Sequence, residues 1–196
     1  MPAMQCSHRI SSTPERRQLS INELRQILSI AKEDSHLRDL YDIASVISFT
    51  GIRFRELSNL RWADVDFPNR RAVVFCPKSM REHLVPFGPK TLQILKTRRS
   101  WVPASEFVFG DTPSALLNRV AHQLRSVGRK VGAGSVSVSV LRHTFFSRLM
   151  ETGADTTALI SIGGFRPSYL SVRSLLSSVQ QCTWAARFQA QVEEQL

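Results

Sequence analysis

The feature of this sequence that most constrains its fold is a change in the spacing of apolar residues. Helical spacing dominates before Trp62 and again after Pro89, whereas residues 72–87 contain two short runs of the kind found in strands. A polar stretch, 77–81, separates the two runs, and Gly88 ends the second one. The pattern predicts a mainly α-helical fold with a small antiparallel β-sheet of two or three strands, an α+β fold in which the two runs form a hairpin with a basic tip.

Local signals mark several helix boundaries. Ser20 and Glu23 have the spacing of a capping box, which predicts the start of the first helix. A second apolar series ends at Gly51, where glycine permits the turn out of a helix. Further helices are predicted over residues 113–130 and from Val140 towards Gly153.

The length of 196 residues suits one domain with short tails. We expect a flexible leader over residues 1–18, a folded domain over 19–180 and a C-terminal docking helix over 181–196. No apolar run approaches the roughly 20 residues that cross a bilayer, and the N-terminus lacks an apolar signal core. The three cysteines lie far apart and match neither a zinc site nor a disulfide framework. These observations predict a cytoplasmic protein without a membrane partner or a metal site.

Charge indicates the class of partner. The chain has 26 Lys and Arg residues against 16 Asp and Glu residues, a formal net charge of +10. Eleven of the basic residues lie between Arg53 and Arg99, where only four acidic residues accompany them. Such a concentration is typical of a surface that binds a polyanion, and it predicts nucleic-acid binding through this segment.

Two arginines and a lysine are the candidates for chemistry. Arg53 follows the turn at Gly51 at the start of a predicted helix, Arg142 lies near the start of a later helix, and Lys78 lies on the hairpin tip. An arginine can donate two hydrogen bonds to one phosphate, and a helix N-terminus adds free amides. Together the three residues predict a clamp for a single backbone phosphate.

The sequence around these residues resembles the tyrosine recombinases, also called phage integrases. The matching stretches are residues 50–60 with Asp64, residues 78–86, and residues 141–145 with 153–155. They occur in the family's order, and the resemblance covers the chain from about Ser20 to Ser178. It implies a mostly helical catalytic domain with a small antiparallel sheet, which acts on duplex DNA without a metal or nucleotide cofactor.

The resemblance also implies roles for single residues. In that family two arginines hold the scissile phosphate, lysine or histidine groups supply protons, and a tyrosine attacks to form a 3′-phosphotyrosine link. By this correspondence Arg53 and Arg142 form the clamp, Glu56 supports it, and Lys78 protonates the leaving 5′-oxygen. Neighbouring basic residues are expected to contact DNA: Arg55, Arg81, His83 and His143. A purely structural role is the other interpretation of His143.

Three of the family's chemical groups are missing from their expected positions. Ser139 stands where the family has a histidine, Phe165 stands at the later His or Trp position, and Ser174 stands at the tyrosine position. The remaining candidate nucleophile is Tyr169, five residues before Ser174. A positioned acid or base contributes about 10²- to 10⁴-fold to a rate, and loss of the nucleophile removes the covalent step itself.

Three functions therefore stay open. The favoured one is a degenerate, non-cleaving domain that binds duplex DNA through the phosphate clamp. The second is a DNA strand transferase that serves the integration or recombination of a mobile element through Tyr169. The third is a module that docks on an active recombinase.

The last helix carries a narrow apolar stripe. Trp184, Phe188, Val192 and Leu196 recur at every fourth position, a spacing that places them along one face of a helix. We expect this helix to occupy an apolar groove. The groove belongs to a second copy of the chain, to an active recombinase partner, or to the chain's own domain.

Overall fold

The computed structural model describes residues 17–76, 81–101, 104–110, 113–154, 159 and 162–163. Within them the chain forms six α-helices and a three-stranded antiparallel sheet. The helices are α1 Ile21–Glu33, α2 Arg38–Thr50, α3 Phe54–Ser58, α4 Pro89–Trp101, α5 Pro113–Lys130 and α6 Val138–Glu151. The predicted fold class, mainly helical with a small antiparallel sheet, is confirmed.

The sheet interrupts the helices between α3 and α4. Its strands are β1 Val65–Asp66, β2 Arg71–Cys76 and β3 Arg81–Pro86, in the order β1-β2-β3. β2 and β3 form the predicted hairpin. Alternation gives the sheet two faces: Ala72 and Val74 are buried, whereas Val73 and Phe75 are exposed. The buried face holds the hairpin against the helical core.

The ends of the first two helices follow their local signals. Ser20 caps α1, because its hydroxyl accepts from the Glu23 amide while the Glu23 carboxylate accepts from the Ser20 amide at 2.8 Å. α2 ends at Gly51, which has a left-handed backbone with φ 65°. The chain then turns at once into α3, and this turn places Arg53 beside the end of α2.

Helix α2 lies at the centre of the core. Its residues 42–50 are all buried, and it packs against α1, α4, α5 and α6. A helix that is apolar on most sides needs such complete burial. The contact between α2 and α6 brings Arg142 on α6 close to Gly51 at the end of α2.

Residues before α1 are tied to α6. The Leu19 amide donates to Thr144 Oγ1 at 2.9 Å, and Arg148 Nη2 donates to the Leu19 carbonyl oxygen at 3.2 Å. Arg17 donates to the Ala133 carbonyl oxygen and pairs with Glu23. The other 16 residues of the predicted leader, 1–16, and the predicted C-terminal docking helix, 181–196, lie outside the described residues.

Among the described helices, none combines the length and the apolar character that a membrane span requires.

Candidate phosphate-binding site

A cleft of about 520 Å³ opens where the turn between α2 and α3 meets the start of α6. One wall comes from this turn and the start of α3, and the other comes from α6, with one residue of α5. The lining residues are Ile52, Arg53, Phe54, Arg55, Leu117, Val138, Ser139, Arg142, His143 and Phe146. Three arginines thus share one cleft, and the lining residues in the described part of the chain include no Asp or Glu.

Arg53 is held by a buried carboxylate. Glu56 lies in the first turn of α3 with only 1% of its side chain exposed. Its Oε1 accepts from Arg53 Nη1 at 2.7 Å, and its Oε2 accepts from the Arg53 backbone amide at 3.0 Å. This pair fixes both ends of Arg53, as expected for the supporting role of Glu56. Free amides were expected at this helix start, but the Arg53 amide already donates a hydrogen bond to Glu56.

Arg142 donates to two backbone carbonyl oxygens. Its Nη1 donates to the Gly51 carbonyl oxygen, and its Nη2 donates to the Gly163 carbonyl oxygen at 2.9 Å. The guanidinium also lies over the Phe146 ring, 4.8 Å from its centroid. Carbonyl oxygens and an aromatic face orient a guanidinium without cancelling its formal charge. These contacts orient the Arg142 guanidinium at the wall of the cleft.

Gly51 accepts a hydrogen bond from Arg142 and lies two residues before Arg53. Its φ of 65° is the left-handed conformation that L side chains rarely adopt. A β-carbon at this position would overlap the Phe145 ring on α6. The lack of a side chain thus lets α6 approach closely enough for Arg142 to reach the Gly51 carbonyl oxygen.

His83 lies behind the cleft. It pairs with Val74 across the sheet and shares that residue's inward face. Its Nε2 lies 3.8 Å from Glu56 Oε2, and its side chain is 11% exposed. Burial lowers the pKa of His83; Glu56 raises this pKa, whereas the charges of Arg53 and Arg142 lower it. The lowered pKa means that the imidazole is neutral at neutral pH, so its contact with Glu56 is not an ion pair there.

The other predicted site residues fall into two groups. Ser139 and Arg55 are exposed and line the cleft, and His143 lines it partly buried. Arg81 begins β3 and pairs with Cys76 through the ladder. The predicted acid, the candidate nucleophile and two of the substituted positions lie outside the described residues: Lys78, Tyr169, Phe165 and Ser174.

Sequence reasoning did not find three groups that hold Arg142. Gly51 was recognised as a turn residue, but the role of its carbonyl oxygen depends on the contact between α2 and α6. Gly163 gave no signal, because any residue type can supply a backbone carbonyl oxygen. Phe146 gave none either, because in the sequence it resembles any other buried aromatic residue of α6. In the described part of the chain, no group of three or more His, Cys, Asp or Glu side chains could hold a metal ion.

Comparison with known proteins decides the family. Residues 17–169 match the sequence model of the phage integrase family. The chain belongs to this family. The resemblance to tyrosine recombinases drawn from residues 50–60, 78–86 and 141–145 is thereby confirmed.

Curated and solved relatives agree with this family. A protein named tyrosine recombinase XerC, from Staphylococcus aureus (strain bovine RF122 / ET3-1), is 30% identical over 152 residues. The match covers 72% of this chain and 50% of that protein, so the chain spans about half of its length.

Two solved structures share the fold of this integrase-family chain. The crystal structure of XerA recombinase has a TM-score of 0.65 at 22% identity and covers 87% of this chain and 65% of that one. The Tn1549 transposon integrase, solved in complex with a circular intermediate DNA, has a TM-score of 0.65 at 18% identity. That match covers 93% of this chain and 67% of the integrase.

Proposed function

We propose that this chain binds duplex DNA by holding a backbone phosphate between Arg53 and Arg142, as a non-cleaving domain in DNA integration or recombination. One observation carries the proposal. Two arginines from separate segments line the same cleft, and each is oriented by partners that are themselves buried or part of the backbone. Donors that are already oriented lose little entropy when an anion binds.

The charge balance of the cleft favours an anion. Its described lining contributes three arginines and no Asp or Glu, and the Glu56 carboxylate, which pairs with Arg53, does not line it. A phosphodiester carries one negative charge and oxygen acceptors that match a guanidinium. The apolar residues Phe54 and Phe146 also line the cleft. They reduce the local access of water and strengthen the electrostatic attraction.

Phosphate contacts carry affinity without sequence information. Binding by this domain should therefore be weak and strongly dependent on salt, with little sequence preference.

The non-cleaving part of the proposal rests on residue types. Ser139 lies in the cleft one helical turn before Arg142, where the family has a histidine, and a hydroxyl is a poor proton donor or acceptor at neutral pH. Phe165 and Ser174 add two further substitutions in the sequence. Without a tyrosine at position 174, the covalent link that begins strand transfer has no nucleophile at its usual position.

Fluorescence anisotropy with a short labelled duplex tests the binding. Arg53→Gln and Arg142→Gln should each weaken affinity by about 10- to 100-fold, since a charge-assisted hydrogen bond contributes about 1.5–3 kcal/mol. Arg25→Gln is the matched control, because Arg25 is exposed on α1, does not line the cleft and changes the net charge equally. Equal weakening in all three variants would show that only net charge matters, and would contradict the proposed site.

A nicked suicide duplex separates binding from cleavage. We expect no covalent protein–DNA adduct on a denaturing gel. The relatives named tyrosine recombinases favour the alternative, an active strand transferase. A stable adduct that disappears in Tyr169→Phe would establish that alternative and overturn the non-cleaving proposal.

A further inference from the structure

His83 stands out among the groups around the cleft because it is enclosed without a hydrogen-bonding role. Within the part of the chain that the structure describes, neither ring nitrogen has a hydrogen-bond partner. The sheet register directs the residue inward with Val74, away from the exposed face that carries Val73 and Phe75. A buried polar group without a partner costs free energy, so its presence here calls for a state in which it is paired.

Glu56 is the group placed to pair with it. Oε2 of Glu56 faces His83 Nε2 at 3.8 Å, which is beyond hydrogen-bond length. The same oxygen accepts from the Arg53 amide, and its neighbour Oε1 holds Arg53 Nη1. His83 therefore lies next to the carboxylate that positions Arg53.

Three charged groups act on His83, from two helices. Glu56 and Arg53 belong to the α3 region, and Arg142 comes from α6. The carboxylate favours a protonated imidazole, whereas the two guanidinium groups and burial oppose it. In the absence of an anion the opposing influences prevail, and the ring stays neutral near pH 7.

We propose that His83 is a proton-linked positioning residue of the cleft, which takes up one proton from solvent when a DNA phosphate binds between Arg53 and Arg142. This inference rests on the proposed function. The phosphate offsets the two positive charges that oppose protonation. The protonated Nε2–H then donates to Glu56 Oε2 and fixes the carboxylate that holds Arg53. The family's histidine positions hold Ser139 and Phe165, so this imidazole reaches the site from β3 instead.

The sign of the effect follows from linkage. If phosphate binding favours protonated His83, protonation favours phosphate binding by the same factor. The bound complex holds more protons than the free protein, so affinity rises as pH falls between the pKa of His83 in the complex and its lower pKa in the free protein. For one linked proton, the dissociation constant changes by at most about tenfold per pH unit.

Duplex binding at about pH 8 and about pH 6 tests the proposal, since this range brackets the ordinary histidine pKa. His83→Gln keeps a polar side chain that does not titrate. We expect the variant to match the wild type near pH 8 and to lose most of the strengthening at lower pH. His36→Gln is the matched control, because His36 is exposed and does not line the cleft, so this variant should leave the pH dependence in place.

The outcomes separate this inference from the proposed function. Binding near pH 8 that is weakened by Arg53→Gln, together with unchanged pH dependence in His83→Gln, would overturn the role of His83 alone. A wild type that binds no duplex near pH 8 would overturn both proposals. A pH dependence of affinity that is lost in His143→Gln and kept in His83→Gln would also overturn the role of His83.

A second measurement does not depend on a folded variant. The imidazole Hε1 resonance of His83 in the wild-type chain can be titrated by NMR with and without the duplex. The proposal expects its pKa to rise when the duplex is present. A pKa that stays unchanged or falls would contradict proton uptake at this residue, whatever the variants show.

Discussion

The cleft and the junction of α2, α4 and α5 both contain several arginines, but the arginines have different partners in the two regions. In the cleft, Arg142 is held by carbonyl oxygens and Arg53 by one carboxylate. At the junction, Arg98 donates to Asp39 at 2.8 Å and to Asp42 at 2.9 Å. Arg119 also pairs with Asp39. At the junction two carboxylates accept from the arginines, whereas the described lining of the cleft has three arginines and no Asp or Glu.

This difference shows why a count of basic residues overstates a binding surface. Arg98 belongs to the basic segment 53–99, yet its side chain is only 11% exposed and also donates to the Val108 carbonyl oxygen. Burial raises the pKa of Asp42, and Arg98 acts against that rise. Arg98 therefore links α4 to α2 and to the segment that contains Val108. The proposed binding depends instead on the arginines that line the cleft.

The largest effect is expected when the junction loses its central cation. Arg98→Met should destabilise the fold by about 3–5 kcal/mol, because it leaves two partly buried carboxylates without their main partner. The free energy of unfolding in urea measures this loss. Arg119→Met is the matched control. Its side chain is 54% exposed, so the loss should stay within about 1 kcal/mol. Equal losses in the two variants would contradict the distinction between a buried and a surface pair.

A smaller loss is expected at the turn that joins the two halves of the cleft. Gly51→Ala must adopt a left-handed backbone, which costs about 1–2 kcal/mol, and must also displace Phe145. Gly132→Ala separates these contributions, since Gly132 has φ 73° and no atom within 4 Å of an added β-carbon. The melting temperature of Gly51→Ala should be clearly lower than that of Gly132→Ala. DNA affinity should fall only in the former. Similar behaviour of the two variants would show that the Phe145 contact does not matter.

The smallest effect is expected at the exposed rim of the cleft. Arg55 lines the cleft but is exposed, so it should act as a screened phosphate contact. Arg55→Gln should reduce the slope of log affinity against log salt by about one, with little change in stability. Anisotropy titrations over a range of salt concentrations measure that slope. An unchanged slope would place the phosphate away from this side of the cleft.

Much of the fold could be predicted from local signals. The capping box at Ser20, the end of α2 at Gly51 and the bounds of α5 follow from residues a few positions apart. The predicted start of α6, Val140, is two residues late. The N-cap, Ser137, lies in a stretch rich in Gly and Ser, which resembles a flexible connection between helices. A third strand was allowed for but could not be located, since the two residues of β1 are defined only by their pairing with Ala72 and Arg71.

The site was less predictable than the fold. Motif order indicated Arg53, Glu56 and Arg142, because each stands in a recognisable stretch of sequence. The place of His83 behind Glu56 could not be inferred, since it depends on the sheet register and on how the hairpin packs against α3. For the same reason, composition could not separate Arg98 from the arginines of the cleft.

The most direct test of the account is a double-mutant cycle on DNA affinity with Arg53→Gln, Arg142→Gln and the double variant. Residues that hold one phosphate depend on each other, and such pairs show coupling of about 0.5–3 kcal/mol. The account predicts that the double variant binds only slightly more weakly than the weaker single variant. Losses that add fully would show that the two arginines act at separate places, and would contradict a shared phosphate site.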